Sequence, residues 1–274
     1  MIDGKVILVT GGTGSYGEIF VELAIKEYNP KAVRVFSRGE YFQWEMSHKL
    51  NDLRLRYLIG DIRDRDRLHR AMGGVDIVVH AAALKHVPLC EYNPIEAVKT
   101  NIVGSINVID AAIDNHVDKV IALSSDKAVH PINIYGATKL AMEKLFINSN
   151  VYGDTKFSCV RFGNFWASRG SVIPLFAKQA EEGEITVTDP DMTRFWITLE
   201  DAARFTIQCI GKMEGKEIFV PKMDNANLSD LIKKYFPEAK RKVIGKREGE
   251  KVKELMFGEG EKVEDCGDYY LIRG

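Results

Sequence analysis

Through the first 165 residues, short apolar runs rich in β-branched side chains alternate with longer stretches whose apolar positions recur every three or four residues. The runs are Lys5–Thr10, Ala32–Ser37, Arg56–Gly60, Val75–His80, Lys119–Ser124 and Lys156–Arg161. They are apolar almost throughout, as parallel strands buried on both faces must be, whereas a strand wetted on one face would alternate. Helical periodicity marks Tyr16–Tyr28, Tyr41–Leu50, Pro94–Asn115 and Tyr135–Asn148. Strand and helix in alternation, joined by short connections, predict an α/β domain built on a doubly wound parallel sheet. After residue 165 the rhythm changes. A helix at Pro174–Glu182, a strand at Glu184–Thr188, a helix at Leu199–Met213 and a strand at Glu217–Pro221 come first. A helix opened by Asn227 and ending at Phe236 follows, then a strand-rich tail. The pattern predicts a domain over 1–165 and a small α+β part over 166–274, with the chain crossing between them.

Composition narrows the class. The 274 residues are 45% hydrophobic and 28% charged, as in an ordinary globular chain. Thirty-eight basic and 39 acidic residues leave a formal charge of -1, which offers no electrostatic footprint for nucleic acid or an anionic membrane. No apolar run reaches the roughly 18 residues that cross a bilayer, and the N-terminus enters a strand pattern with no leader before it, so a cytoplasmic protein is expected. Cys90, Cys159, Cys209 and Cys266 are widely spaced and form no CxxC pair, which predicts neither disulfides nor a zinc site. The histidines show no ligand spacing either, so no metal is expected.

The first strand runs into Thr10-Gly11-Gly12-Thr13-Gly14-Ser15-Tyr16-Gly17, and a helix follows. Gly11 suits a tight turn, Gly14 a close approach to a pyrophosphate, and Gly17 close packing of helix on strand. The helix N-terminus then directs N–H groups at the anion. Glycines of this spacing occur in many loops, but here they open a βαβ unit, the Rossmann-type context that gives them meaning. About 20 residues beyond such glycines, NAD sites carry an acid for the ribose 2′-hydroxyl. This chain has Ser37-Arg38 there, a hydroxyl and a guanidinium suited to a 2′-phosphate, which favours NADP; Glu40 lies close by.

The fifth strand ends in Ser124-Ser125-Asp126-Lys127. Tyr135 follows ten residues after Ser125, and Lys139 shares its helix face at i+4. An ammonium beside a phenol lowers the phenol's pKa, so that the tyrosinate can take a proton from a hydroxyl as hydride leaves the same carbon. A YxxxK pair alone means little. Behind a strand ending in Ser-Ser, in a chain that opens with the glycine loop, it is the combination of the extended short-chain dehydrogenase/reductase superfamily. The adjacent acid and amine, Asp126 and Lys127, suit opposite proton transfers, which a plain dehydrogenase or 4-epimerase does not need. Their alternative is a solvated ion pair at a strand end.

With these residues the chain resembles the UDP-N-acetylglucosamine 4,6-dehydratases, particularly the C5-inverting members that open pseudaminic acid synthesis. The resemblance covers about residues 5 to 257. It rests on Thr10–Gly17, Ser37-Arg38, Gly60-Asp61, His80–Pro88, Glu91–Pro94 and Val98–Asn101. Ser125–Val129, Pro131–Asn133, Tyr135–Lys139, Phe162–Asn164, Ser168–Pro174, Met192–Phe195 and Arg247–Lys251 complete it. It implies that Tyr135 deprotonates the hydroxyl on sugar carbon 4 while NADP+ takes the hydride, with Lys139 and Ser125 in support. Lys127 then removes the acidified proton at carbon 5, Asp126 protonates the hydroxyl leaving carbon 6, and hydride returns to carbon 6. NADP would stay tightly bound and be regenerated in every turnover. Beyond the glycine loop, the cofactor would meet Asp61 and Ile62 around its adenine, Ala81, Ala82 and Ala83 along its path, and Lys85, Thr100, Asn101 and Phe165. Asn101 would hold its helix open near the active site. The nucleotide sugar would meet Lys85, His86, Asn164, Arg169, Gly170, Ser171, Val172, Ile173, Thr188, Arg194, Arg247 and Glu250. The family implies a homo-oligomer.

Several positions depart from the family pattern. Members more often show Thr where Ser125 stands and Asn where His130 stands. Phe165-Trp166 is bulkier than the usual pair, Arg247-Glu248 lacks a common proline, and the chain stops soon after Tyr269-Tyr270-Leu271. Three other functions use the same parts: a C5-retaining dehydratase, which the residues do not separate from the inverting kind, a UDP-sugar 4- or 5-epimerase, and a non-catalytic NADP-binding regulator. Asp126-Lys127 argues against a pure 4-epimerase, and the retained Tyr135 and Lys139 argue against a regulator.

Overall fold

The computed structural model describes residues 1–273. β1 (Val6–Thr10) is buried at every position. It leads into α1 (Ser15–Glu27), β2 (Ala32–Ser37), α2 (Glu40–Leu50), β3 (Leu55–Ile59), α3 (Arg65–Met72) and β4 (Ile77–His80). α4 (Val87–Tyr92), α5 (Pro94–Val98), a π-helical turn (Lys99–Val103) and α6 (Gly104–Asp114) precede β5 (Lys119–Ser125). A 3-10 turn (Asp126–Ala128), α7 (Ile134–Asn148), β6 (Lys156–Phe162), β7 (Asn164–Phe165), α8 (Val172–Glu181), β8 (Glu184–Val187) and β9 (Thr193–Ile197) follow. Last come α9 (Leu199–Lys212), β10 (Glu217–Pro221), β11 (Asp224–Asn227), α10 (Leu228–Tyr235), β12 (Lys240–Val243), β13 (Val263–Asp265) and β14 (Tyr269–Arg273).

The main sheet has nine strands in the order β13-β14-β10-β6-β5-β4-β1-β2-β3, parallel from β10 to β3. The reversal between β4 and β1 opens a crevice at the carboxyl ends of the strands, where ligands bind in such sheets. Phe20, Val21 and Ala24 of α1 and Ala202, Ala203 and Ile207 of α9 fill one face. Leu68, Val108, Met142 and Phe146, from α3, α6 and α7, fill the other. Residues beyond 165 do not stand apart, because β10, β13 and β14 extend this sheet and α9 covers it. Two small sheets, β11-β9-β7 and β12-β8, with α8 and α10, form the remainder.

Several elements differ from the sequence pattern: α4, β7, β9 and β11 carry no mark in it, and two others are instructive. α3 buries only Leu68, Ala71 and Met72 among charged neighbours, a stripe of a single turn, and its N-cap marks its start: the Asp64 carboxylate accepts from Arg67 N–H at 2.9 Å. The stretch Pro94–Asn115, expected as one helix, changes pitch at Lys99–Val103, where a π turn inserts an extra residue beside the crevice.

Arg161 on β6 ties the C-terminal segment to this frame. It is buried, donates to Glu143 of α7 at 2.9 and 2.8 Å and to Glu261 at 2.9 and 2.8 Å, and reaches the Met256 carbonyl at 2.8 Å. Removing one member of such a buried set strands the other charges. Arg161→Met should therefore cost about 3–5 kcal/mol in a urea melt; a loss below about 1 kcal/mol would mean that solvent already compensates the two carboxylates.

Candidate active site

The turn after β1 is dictated by contact. Gly11 has φ +69°, and a Cβ there would sit 2.9 Å from the backbone of Ala82. A Cβ on Gly17 would lie 2.4 Å from the Gly11 carbonyl oxygen, so α1 seats on the loop only through glycine. The cradle faces a cleft of about 720 Å³. Lining it are Gly11, Thr13, Gly14, Ser15, Tyr16, Gly17, Ser37, Arg38, Asp61, Ile62, Ala81, Ala82, Ala83, Lys85, Thr100, Tyr135, Lys139 and Phe165. Of the residues expected around a dinucleotide, Asn101 alone stands behind the wall. Its amide pairs with both Leu84 N–H (2.8 Å) and Leu84 carbonyl (2.9 Å) and donates to Thr138 at 3.0 Å. The π turn thus holds the Ala81–Leu84 edge in place. Tyr16 stacks on Phe165, and its hydroxyl donates to Thr206 at 2.7 Å on α9.

At the β2 end, Thr13 donates to Ser37 Oγ at 3.0 Å, and the buried Gln43 amide donates to the Ser37 carbonyl and hydroxyl, both at 3.0 Å. Arg38 is exposed, 3.9 Å from Asp61 Oδ2, which Arg63 approaches to 2.7 Å. Burial disfavours the Asp61 carboxylate, but hydrogen bonds from Arg63 and the charge of Arg38 outweigh it and hold the pKa below the usual range. Thr100 and Ser124 leave buried hydroxyls with no partner in this cleft. Deeper, the His80 ring bridges Thr10 (2.8 Å) and Ser105 (3.1 Å), and burial pushes its pKa down to about 3, so it stays neutral.

The reactive cluster forms where β5 stops. Ser125 donates to Asp126 Oδ1 at 2.8 Å, and the Lys127 ammonium lies 3.1 Å from the same oxygen and 3.3 Å from Asn164 Oδ1. Asp126 is fully buried, and its second oxygen has no partner. Asn133 caps α7 by accepting from Gly136 N–H at 2.7 Å, which sets Tyr135 among Leu84, Val87, Cys90 and Ala97. Burial pushes the Tyr135 phenol up to about 12, and the cation that opposes this is Lys127. Lys139, expected in that role, donates to the Leu123 carbonyl at 2.6 Å, and burial brings its pKa down to about 8.

Lys85 and His86 border both this cleft and a second cavity of about 250 Å³. Lys127, Asn164, Gly170, Ser171, Val172, Thr188, Arg194, Arg247 and Glu250 line the second cavity. Two residues expected there lie elsewhere. Arg169 folds over the glycine loop, its backbone N–H donating to Ser15 Oγ at 3.0 Å and its guanidinium to the Thr13 carbonyl, so it borders the dinucleotide cleft. Ile173 packs against the cluster of Met192, Trp196 and Leu228. Arg194 lines the cavity, but its guanidinium donates to the carbonyls of Thr193 (2.8 Å), Val252 (3.0 Å) and Lys251 (2.9 Å). Sequence reasoning missed Glu254, a buried carboxylate 3.5 Å from the Lys127 ammonium. It also missed Asn133 as a clamp on the Gly249 carbonyl at 2.8 Å. His130, given no role, has φ 44°, the left-handed region that asparagine tolerates well, and accepts from Glu259 N–H at 3.3 Å. Among the described residues no helix is long and apolar enough to cross a membrane, and no cluster of His, Cys, Asp or Glu could hold a metal.

The strand order, the glycine cradle and a Tyr-Lys helix beside the crevice are those of the short-chain dehydrogenase/reductase type of Rossmann fold. A family model described as polysaccharide biosynthesis protein matches residues 7–273, and the chain belongs to that family. It is 47% identical over 279 aligned residues to the UDP-N-acetylglucosamine 4,6-dehydratase (inverting) of Campylobacter jejuni subsp. jejuni, covering 99% of this chain and 84% of the relative. A protein of Rickettsia canadensis named UDP-glucose 4-epimerase is 41% identical over the same shares of the two chains. The X-ray structure of Pen from Bacillus thuringiensis superposes with a TM-score of 0.96 at 43% identity, covering 100% of this chain and 90% of that one.

Proposed function

We propose that this protein dehydrates UDP-N-acetylglucosamine to a UDP-4-keto-6-deoxy-N-acetylhexosamine, with inversion at carbon 5. The observation that carries this reading is the acid–amine pair, Asp126 and Lys127, set where the dinucleotide cleft meets the second cavity. Tyr135 takes the proton of the carbon 4 hydroxyl. The Lys127 amine takes the proton of carbon 5, and the electron pair left behind forms the bond between carbons 5 and 6. The carbon 6 hydroxyl departs with the proton of Asp126 as water. Neither proton transfer is needed for epimerisation at carbon 4, which is why the dehydratase name among the relatives fits this chain better than the epimerase name.

A nicotinamide dinucleotide fits the larger cleft, whose glycine cradle would fill with any Cβ and whose Thr100 and Ser124 hydroxyls want partners. When bound, it would accept the hydride of carbon 4 and return it to carbon 6 while a proton enters carbon 5 on the face opposite the one it left, so the dinucleotide is not consumed. Arg38, Ser37 and Thr13 would hold a 2′-phosphate, which makes NADP the preferred form. Arg38→Asp should raise the Kd for NADP about 10- to 100-fold relative to NAD, read by titration of the emptied protein. An unchanged preference would retire Arg38 from that role. In this reading the enzyme is cytoplasmic and pairs with copies of itself, for which exposed Leu89, Tyr92 and Ile95 offer apolar surface.

The test is incubation with UDP-N-acetylglucosamine in deuterated water, followed by mass and proton NMR. A 4-keto-6-deoxy product with deuterium at carbon 5 is expected. Unchanged mass with a new configuration at carbon 4 would establish an epimerase instead.

A further inference from the structure

Lys127 does not face Asp126 alone. The ammonium lies 3.1 Å from Asp126 Oδ1 and 3.5 Å from Glu254 Oε1. Both carboxylates are buried, with side-chain exposures of 0% and 3%. The other oxygen of Glu254 lies 3.3 Å from the ammonium of Lys251, which donates to the Val129 carbonyl at 2.6 Å. Charges therefore alternate along one row, Asp126, Lys127, Glu254, Lys251. From other elements, Arg194 on β9 and Tyr135 on α7 also act on Lys127.

A buried carboxylate is costly unless it is paired, so Glu254 needs a reason to be there. Anchoring its own segment is not that reason. Arg194 already holds the carbonyls of Lys251 and Val252, and Arg161 holds the carbonyl of Met256. Proton counting on the dehydratase reading supplies one. With Asp126 ionised and Lys127 charged, the pair can neither accept the carbon 5 proton nor release one to the hydroxyl. Transfer of one proton from Lys127 to Asp126, across 3.1 Å, produces amine and acid with no change in net charge. Glu254 faces the Lys127 nitrogen from the far side and is itself paired with Lys251. As carbon 5 gives up its proton and Asp126 gives its own to the departing hydroxyl, Lys127 becomes a cation again between two carboxylates.

We propose that Glu254 is a positioning residue for the carbon 5 step, one that holds the Lys127 nitrogen against Asp126 and balances the cation formed as the proton arrives. It acts through Lys127 and not on the sugar. The inference rests on the dehydratase reading above, and one assay on the cofactor-loaded protein separates the two.

Glu254→Gln keeps the shape and removes the charge. Both limbs of the kcat–pH profile should move to lower pH by about one unit. Deuterium entry at carbon 5 should slow about 10-fold or more, while removal of hydride from carbon 4 keeps its rate, so that reduced nicotinamide builds up in a single turnover. Lys251→Met removes the counter-charge and should move both limbs the other way, to higher pH. A merely structural role for Glu254 would not give shifts of opposite sign. A Glu254→Gln protein that folds and shows the wild-type profile and wild-type exchange overturns the proposal. If that variant does not fold, Lys251→Met decides: an alkaline shift supports the proposal and an unmoved profile overturns it. Wild-type protein that leaves the sugar unchanged in the same assay strikes down the dehydratase reading itself.

Discussion

With alanine in place of Lys127, turnover should fall about 10⁴-fold, while carbon 4 is still oxidised and the cofactor is still held. The expected signature is the near-ultraviolet absorbance of reduced nicotinamide, which appears on adding the nucleotide sugar and does not decay. Lys127 lines the second cavity but does not line the cleft of the glycine cradle, so dinucleotide binding has no reason to change. The substitution also leaves Asp126 and Glu254 buried with their shared cation gone. Leaving buried carboxylates without their cation costs stability, so the variant should melt at a lower temperature than the wild type. Product formation at the wild-type rate would remove Lys127 as the base, and an unchanged melting temperature would remove the account of the carboxylates.

Tyr135→Phe should fail one step earlier. The ring keeps its packing against Leu84, Val87, Cys90 and Ala97, so the fold is unaffected. On the proposed reading, loss of the hydroxyl removes the base for the carbon 4 proton, and turnover should drop about 10³-fold. No reduced nicotinamide should accumulate, which separates this variant from Lys127→Ala in the same experiment. In the wild type, burial holds the phenol up to about 12 against the pull of Lys127. The rate of carbon 4 oxidation should therefore rise with pH, since it is the deprotonated form that acts as base. A Tyr135→Phe protein that reduces its cofactor at the normal rate would take Tyr135 out of the chemistry.

Much of this arrangement could be read from the chain because it is local. The glycine loop, the Ser125-Asp126-Lys127 corner and the Tyr135-Lys139 pair each lie within a dozen residues, and buried strands announce themselves as apolar runs. The readings fail where contact is made across sequence. Nothing near Glu254 marks it as a partner of Lys127, and Arg161 meets Glu143 and Glu261 through folding alone. Arg169 sits in a stretch that otherwise lines the second cavity, yet its guanidinium reaches the Thr13 carbonyl because Gly170 turns the chain at φ +69°. Lys139 shares a helix face with Tyr135 as its spacing requires, but a helix face does not say which acceptor the ammonium will choose. α3 escaped notice for another reason, its stripe of Leu68, Ala71 and Met72 filling only one turn among charged residues.

The way the sheet is completed has a consequence for biosynthesis. β10 lies between β6 and β14, and β14, spanning Tyr269–Arg273, pairs with it along its whole length. A nascent chain that has emerged only as far as β6 carries an open edge next to the strand that ends at Ser125, with backbone donors and acceptors unpaired. The α1 face, which α9 covers in the finished molecule, is also bare at that stage. The ribosome must therefore release the chain through β14 before the Ser125–Lys127 corner is locked, and until then the chain offers its edge to any neighbour able to add a strand.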